Sequence, residues 1–300
     1  AGERTGSPMT LPGSGAPAPG ILTLTCPDRP GIVAAVGGAV AAAGGNIVDS
    51  QQYSDPQTGR FFMRLEIESA NKALDWHDSL QHAFAAIAEE FAMTWQWAAP
   101  AHRDRVVVMV SNLGHCLNSL LYQWSSGGLA GDIVAVISNH ETFRSLTEWY
   151  GLPYHFVPVT PQTKSVAEAT TRQILADYRC DLLVLARYMQ VLSDDLCADL
   201  TGRAINIHHS FLPSFKGARP YLQAHDRGVK LIGATAHYVT ADLDEGPIIE
   251  QEVARIDHRQ QPEQLAAIGR DVEAVTLGRA VQWHLQRRIV LNGNRTVVFR

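Results

Sequence analysis

The stretch Arg203-Ala204-Ile205-Asn206-Ile207-His208-His209-Ser210-Phe211-Leu212-Pro213 starts as a short apolar run and ends at a proline-marked break. Read as a strand, it puts Asn206 and His208 on one face, two residues apart, at the strand's carboxyl end. Upstream, residues 105–110 and 182–185 read as Val- and Leu-rich buried strands and 133–138 as a further strand. Helical stretches at 115–124, 142–150, 166–178 and 193–200 alternate with them. Alternating helices and apolar strands predict an open, mostly parallel α/β sheet. Ligands of such sheets bind beyond the carboxyl ends of the strands, where Asn206 and His208 fall.

Downstream, residues 231–239 and 248–255 predict two longer strands, and 262–285 a long helix. Asn292-Gly293-Asn294 marks a hairpin between 288–291 and 296–299. Leu243-Asp244-Glu245-Gly246-Pro247 is a loop between the two longer strands, punctuated by glycine and proline. It supplies a carboxylate that can face the Asn206–His208 strand end.

The front of the chain has a different rhythm. Residues 21–26 alternate as a half-buried strand, Pro27-Asp28-Arg29-Pro30-Gly31 is a turn, and 32–43 is an Ala/Val helix stopped by Gly44-Gly45. Residues 46–53 and 60–67 form a hairpin around a 55–59 turn, 73–91 an amphipathic helix, and 93–98 a last strand. The order βαββαβ is that of a ferredoxin-like unit. The expected organisation is a disordered Gly/Pro/Ser/Ala-rich tail over 1–20, a small domain over 21–98, a linker over 99–104 and an α/β domain over 105–300.

The 300 residues carry 46% hydrophobic side chains and a net charge of −5, so a sizeable core is available and no basic stripe invites nucleic acid. Apolar runs are broken well short of a membrane span, and no secretory signal is visible. Cys26, Cys116, Cys180 and Cys197 are scattered without a C-x-x-C pair, which reads as reduced thiols and a cytoplasmic protein.

A neutral amide donor, a titratable ring and a carboxylate are what a site needs to polarise a carbonyl and move protons. His208 and His209 point to opposite faces of a strand, which makes a shared metal awkward. His225 or His237 could widen the cluster, but no spacing here matches a zinc pattern, and no metal is expected. Asp242 and Glu245 read as turn residues, and Asp242-x-Asp244 lacks the further ligands of a calcium loop. Tyr188, Met189, Val191 and Leu192 follow a strand end; they are either core or the wall of a pocket for a flat ligand. The glycines at 37, 38, 44 and 45 fit no G-x-G-x-x-G pattern, and neither a Walker A sequence nor a G-x-S-x-G elbow is present.

Asn206-Ile207-His208 with Leu243-Asp244-x-Gly246-Pro247 resembles the folate-dependent formyltransferase family. The longer matches Asn206 to Pro213, Gly217-Ala-Arg-Pro-Tyr221, Gly233-Ala-Thr-Ala-His-Tyr238 and Asn292-Gly-Asn-Arg-Thr296 are similar to its hydrolytic branch. That branch cleaves 10-formyltetrahydrofolate to tetrahydrofolate and formate, supplying formate to purine synthesis. Cys26-Pro-Asp-Arg-Pro-Gly-Ile32 and Gly45-Asn46-Ile47 resemble an ACT domain, an amino-acid-sensing module. The resemblance implies that Asn206 donates to the formyl oxygen, that His208 assists and handles protons, and that Asp244 orients His208 and acts as acid/base. It places the pterin against Arg187, Met189, Val191 and Leu192, and near 240–244. It implies water as co-substrate, no cofactor, a homodimer or homotetramer, and an amino-acid effector at Asp28, Gly31 and Asn46 across a subunit contact.

Three departures from the family pattern stand out. Gln190 replaces a usual basic residue, and His209 stands where the transferase branch typically has proline. Asn112-Leu113-Gly114-His115-Cys116 replaces that branch's Gly-x-Gly-Ser-Asn phosphate cradle. A backbone nest for phosphate depends on such glycines and small donors, so water is the expected acceptor. The alternatives are formyl transfer to glycinamide ribonucleotide, disfavoured by that loop and by the front domain, and a folate or amino-acid sensor without turnover.

Overall fold

The computed structural model describes residues 19–69, 76–100, 102–211 and 220–300. The tail expected over 1–20 therefore lies almost wholly outside the described residues, as does most of Gly217 to Tyr221. The chain divides into two compact units, one ending at His102 and one beginning at Arg103.

The first unit runs β1 (Gly20–Pro27), α1 (Ile32–Ala42), β2 (Gly45–Asp55), β3 (Arg60–Ser69), α2 (Trp76–Glu90) and β4 (Thr94–Ala98). The four strands pair antiparallel in the order β2-β3-β1-β4. Apolar residues such as Leu22, Leu24, Met63 and Leu65 meet Val36 and Val40 of α1 and Leu80 and Phe84 of α2 in one core. This is the expected ferredoxin-like unit, with both helices on one face of the sheet.

The second unit continues with β5 (Asp104–Val110), α3 (His115–Ser125), β6 (Gly131–Ser138), α4 (Arg144–Trp149), β7 (Tyr154–Phe156), α5 (Lys164–Asp177), β8 (Leu182–Leu185), α6 (Asp194–Asp199) and β9 (Ala204–His208). It ends with α7 (Pro220–Asp226), β10 (Leu231–Tyr238), β11 (Ile248–Arg255), α8 (Pro262–Leu285), β12 (Ile289–Asn292) and β13 (Arg295–Val298). Seven strands form one sheet in the order β11-β10-β9-β8-β5-β6-β7. The run from β9 to β7 is parallel, while β10 and β11 pair antiparallel.

Val106, Val108 and Val110 of β5 pack on one face, Val107 and Met109 on the other, which is why this strand is apolar at both parities. β5 begins at Asp104, inside the expected linker, because that carboxylate is buried and accepts from Arg287 Nη2 at 2.7 Å. β7 and α7 are too short to show a period in sequence. Among the described residues no helix is long and apolar enough to cross a membrane.

Candidate active site

The chain leaves β5 and steps outward to β6 and β7, then returns to the other side of β5 to build β8 and β9. Ligands of open sheets gather at such a reversal. A cavity of about 270 Å³ opens beside it, walled by the segment after β8, the end of β9 and the segment after β10. Arg187, Met189, Val191, Leu192, Asn206, His208 and Asp244 all line it, with Thr240, Ala241 and Leu243. Met189 and Val191 are exposed at its mouth, while Arg187 and His208 are buried.

Asn206 pairs with His237 across the β9–β10 register, so the two side chains share a face. Asn206 Nδ2 lies 3.2 Å from His237 Nε2, and His237 Nδ1 lies 2.9 Å from the Tyr238 carbonyl. A carbonyl only accepts, so Nδ1 carries the ring proton and Nε2 accepts from Asn206. The second N–H of the Asn206 amide remains to donate.

His208 Nδ1 lies 3.1 Å from Asp244 Oδ2, and His237 Nε2 lies 3.7 Å from Asp244 Oδ1. Among the described residues His208 Nε2 makes no hydrogen bond although it is buried. Burial pushes the Asp244 carboxyl up, but the hydrogen bond from His208 and the adjoining His237 ring outweigh it and hold it well below the usual carboxylate range. Asp244 sits at φ 59°, left-handed backbone that aspartate tolerates better than most residues. Two residues on, a Cβ at Gly246 would stand 1.7 Å from the Tyr238 carbonyl oxygen. Only glycine lets this turn fold back and carry Asp244 over the end of β9.

His209 lies just past β9, its ring centroid 5.0 Å from that of His208. Burial, and then the nearby Arg187 charge, pushes its pKa down to about 4. A second polar cluster adjoins the cavity at Arg187. Its Nε lies 3.2 Å from Oε2 of Glu273, a carboxylate on α8 with 1% of its side chain exposed. Glu273 also meets His115 Nε2 at 2.7 Å and accepts from the Tyr221 hydroxyl at 2.6 Å. Burial raises the Glu273 carboxyl, but His115, Arg187 and Tyr221 bring it below its ordinary value.

Ligand atoms of His115, Cys116 and Glu273 lie within 4.8 Å of one another. The chemistry of this set does not suit a cation. Arg187 and Tyr221 already claim the carboxylate, and burial with the Glu273 charge pushes the Cys116 thiol up. His225, weighed with His237 as a wider metal cluster, instead lies 3.4 Å from its neighbour Asp226, while His237 serves Asn206.

Sequence reasoning missed His237 as a partner of Asn206, and missed Glu273. The signal for Glu273 is an acid inside the apolar run Val272-Glu273-Ala274-Val275. Asp28 and Gly31 are not brought to Asn46 within one chain. Pro27 pairs with Arg60 at one end of β3, and Asn46 with Glu68 near the other. At about 3.3 Å per strand residue, roughly 26 Å separates the two ends.

The fold and site together define a formyl transferase type of α/β domain behind a ferredoxin-like unit. Residues 104–281 match the formyl transferase family model, and residues 20–73 the ACT domain model. The formyltetrahydrofolate deformylase of Corynebacterium sp. (strain P-1) is 49% identical over 93% of this chain and 98% of its own length. A crystal structure of the formyltetrahydrofolate deformylase from Burkholderia mallei superposes with a TM-score of 0.90 at 50% identity, covering 95% of this chain and 100% of that one. A glycinamide ribonucleotide transformylase from Symbiobacterium toebii shares the fold more distantly, with a TM-score of 0.62 and 28% identity over 67% of this chain and 96% of that one. The chain belongs to the formyltetrahydrofolate deformylase family.

Proposed function

We propose that Asn206, His208 and Asp244 carry the hydrolysis of 10-formyltetrahydrofolate to tetrahydrofolate and formate. The observation that carries this reading is the His208 ring, tied through Nδ1 to Asp244 with Nε2 unpaired in a cavity shared with the Asn206 amide. Asp244 fixes the tautomer with hydrogen on Nδ1, so Nε2 accepts the proton of an attacking water. Water oxygen bonds to the formyl carbon, and the free N–H of Asn206 donates to the formyl oxygen as charge builds on it. The carbon–nitrogen bond then breaks, the folate nitrogen takes the proton from Nε2, and the formic acid so formed gives its hydroxyl proton to solvent and leaves as formate. The segment bearing Arg187, Met189, Val191 and Leu192 holds the pterin, Arg187 through its backbone, with backbone groups near 240–244 reading its polar edge. These side chains supply the donor, base and charge themselves, so the step calls for no metal and no cofactor.

The catalytic domain of this reading spans 105–300, with a regulatory ACT-like domain over 21–98, and the enzyme acts in the cytoplasm. An amino acid binds at Asp28, Gly31 and Asn46. Because these lie at opposite ends of one sheet, a site combining them takes Asn46 from a second copy, which supports a homodimer or homotetramer.

Turnover with no added acceptor tests the activity: formate and tetrahydrofolate are expected in equal amounts. Dependence on added glycinamide ribonucleotide would overturn it. For the effector, a thermal-shift screen of the common amino acids is expected to find one that raises the melting temperature, and a flat screen removes the sensing role.

A further inference from the structure

We propose that Arg187, held by Glu273, forms an anion site within the cavity that takes the formate product. This rests on the hydrolytic reading above. Arg187 is a cation with 7% of its surface exposed, and a buried cation is costly unless it is paired. Among the described residues its charged partner is Glu273, yet Nε makes no hydrogen bond despite lying 3.2 Å from the carboxylate. The carboxylate meanwhile engages His115 through one oxygen and Tyr221 through the other. Glu273 therefore anchors the guanidinium without saturating it.

The backbone adds a second observation. Arg187 stands at φ 64°, a left-handed conformation that costs a non-glycine residue energy and persists where surrounding structure enforces it. A long charged side chain is kept at a position whose backbone suits glycine, on the wall of the cavity that holds Asn206 and His208. His209, lining the same cavity, is kept neutral by burial and by Arg187 itself, so its ring offers one donor without adding a second cation.

The ligand these groups suit is a small planar carboxylate. A guanidinium presents parallel N–H donors that match the two oxygens of a carboxylate. The formyl group of the substrate is neutral, whereas formate carries a full negative charge. A cation lining the cavity in which the formyl group reacts therefore favours the state after bond cleavage over the state before it.

The test is direct titration of the full chain with carbon-13 formate, followed by line broadening with no folate present and with chloride as the control anion. The unmodified chain is expected to bind formate in preference to chloride. Arg187→Gln is expected to weaken binding at least tenfold, and Arg187→Lys to fall between them, because a point charge lacks the fork. Equal formate affinity in the parent and Arg187→Gln, or no formate binding by the parent, overturns the site. If Arg187→Gln does not fold, a formate-soaked crystal of the unmodified chain decides: a carboxylate against Arg187 supports the site, and formate ordered only elsewhere overturns it. Formate binding without release of formate from substrate would sink the hydrolytic reading and leave the anion site standing. Turnover with Arg187-independent binding would do the reverse.

Discussion

Asp244 lies far from Asn206 and His208 in sequence, and its partner atom Oδ2 is 3.1 Å from the ring it orients. Asp244→Asn keeps the shape and tolerates the φ of 59°, so the fold should survive the change. The variant loses the charge that fixes and supports His208, and kcat is expected to fall by roughly 10²–10⁴ while tetrahydrofolate binding stays near the parent's. Stopped-assay kinetics with a folate-binding titration check both; parental turnover would remove the role. The carboxyl is held below its unfolded value, so its contribution to stability is fully present above about pH 4 and is lost as pH falls through the depressed folded value. Asn206 and His208 were legible as a pair because strand geometry puts alternate residues on one face. His237 was not, because cross-strand pairing brings it to Asn206 and no local spacing records that register.

At the scale of elements, three segments meet at the cavity, and the least regular of them does the most positioning. The 239–247 segment must turn back over β9, and the approach of Gly246 to the Tyr238 carbonyl sets how closely it can do so. Gly246→Ala should displace Asp244, cutting kcat by roughly tenfold to a hundredfold and costing about 1–3 kcal/mol of stability. A crystal structure and an activity assay of that variant check the two halves; unchanged activity would mean the turn yields elsewhere. Ser193 caps α6, its hydroxyl accepting from Leu196 N at 3.3 Å. Ser193→Ala is expected to cost about 1 kcal/mol in urea unfolding, with little change in kcat. β7, an edge strand of three residues, carries no period long enough to read. Asp104 looked like linker because an isolated charge before a strand gives no hint of the Arg287 that buries with it.

Across the whole molecule, two half-buried imidazoles couple stability to pH. Burial and a neighbouring arginine push both His209 and His284 down to about 4, and His284 Nδ1 shares a 2.7 Å hydrogen bond with the Tyr238 hydroxyl. An unfolded chain protonates these rings near pH 6.5, the folded one only near 4. The unfolded state therefore binds more protons between the two, and stability falls as pH drops through that window. The expected loss is roughly 1–3 kcal/mol from pH 7 to pH 5. Urea titrations across that range measure it, and a flat profile would mean the rings protonate in place.

Periodicity and turn residues in the chain were enough for the βαββαβ unit, the alternating α/β rhythm and the strand end bearing Asn206 and His208. These are local consequences of backbone geometry and of which side chains avoid water. Only the folded sheet decided which further distant groups join them: His237 beside the amide, and Glu273 with His115 against Arg187. Contacts between strands and helices far apart in sequence depend on register and crossover, which no short stretch of chain encodes. The same reason sets Asp28 and Asn46 at opposite ends of a single antiparallel sheet.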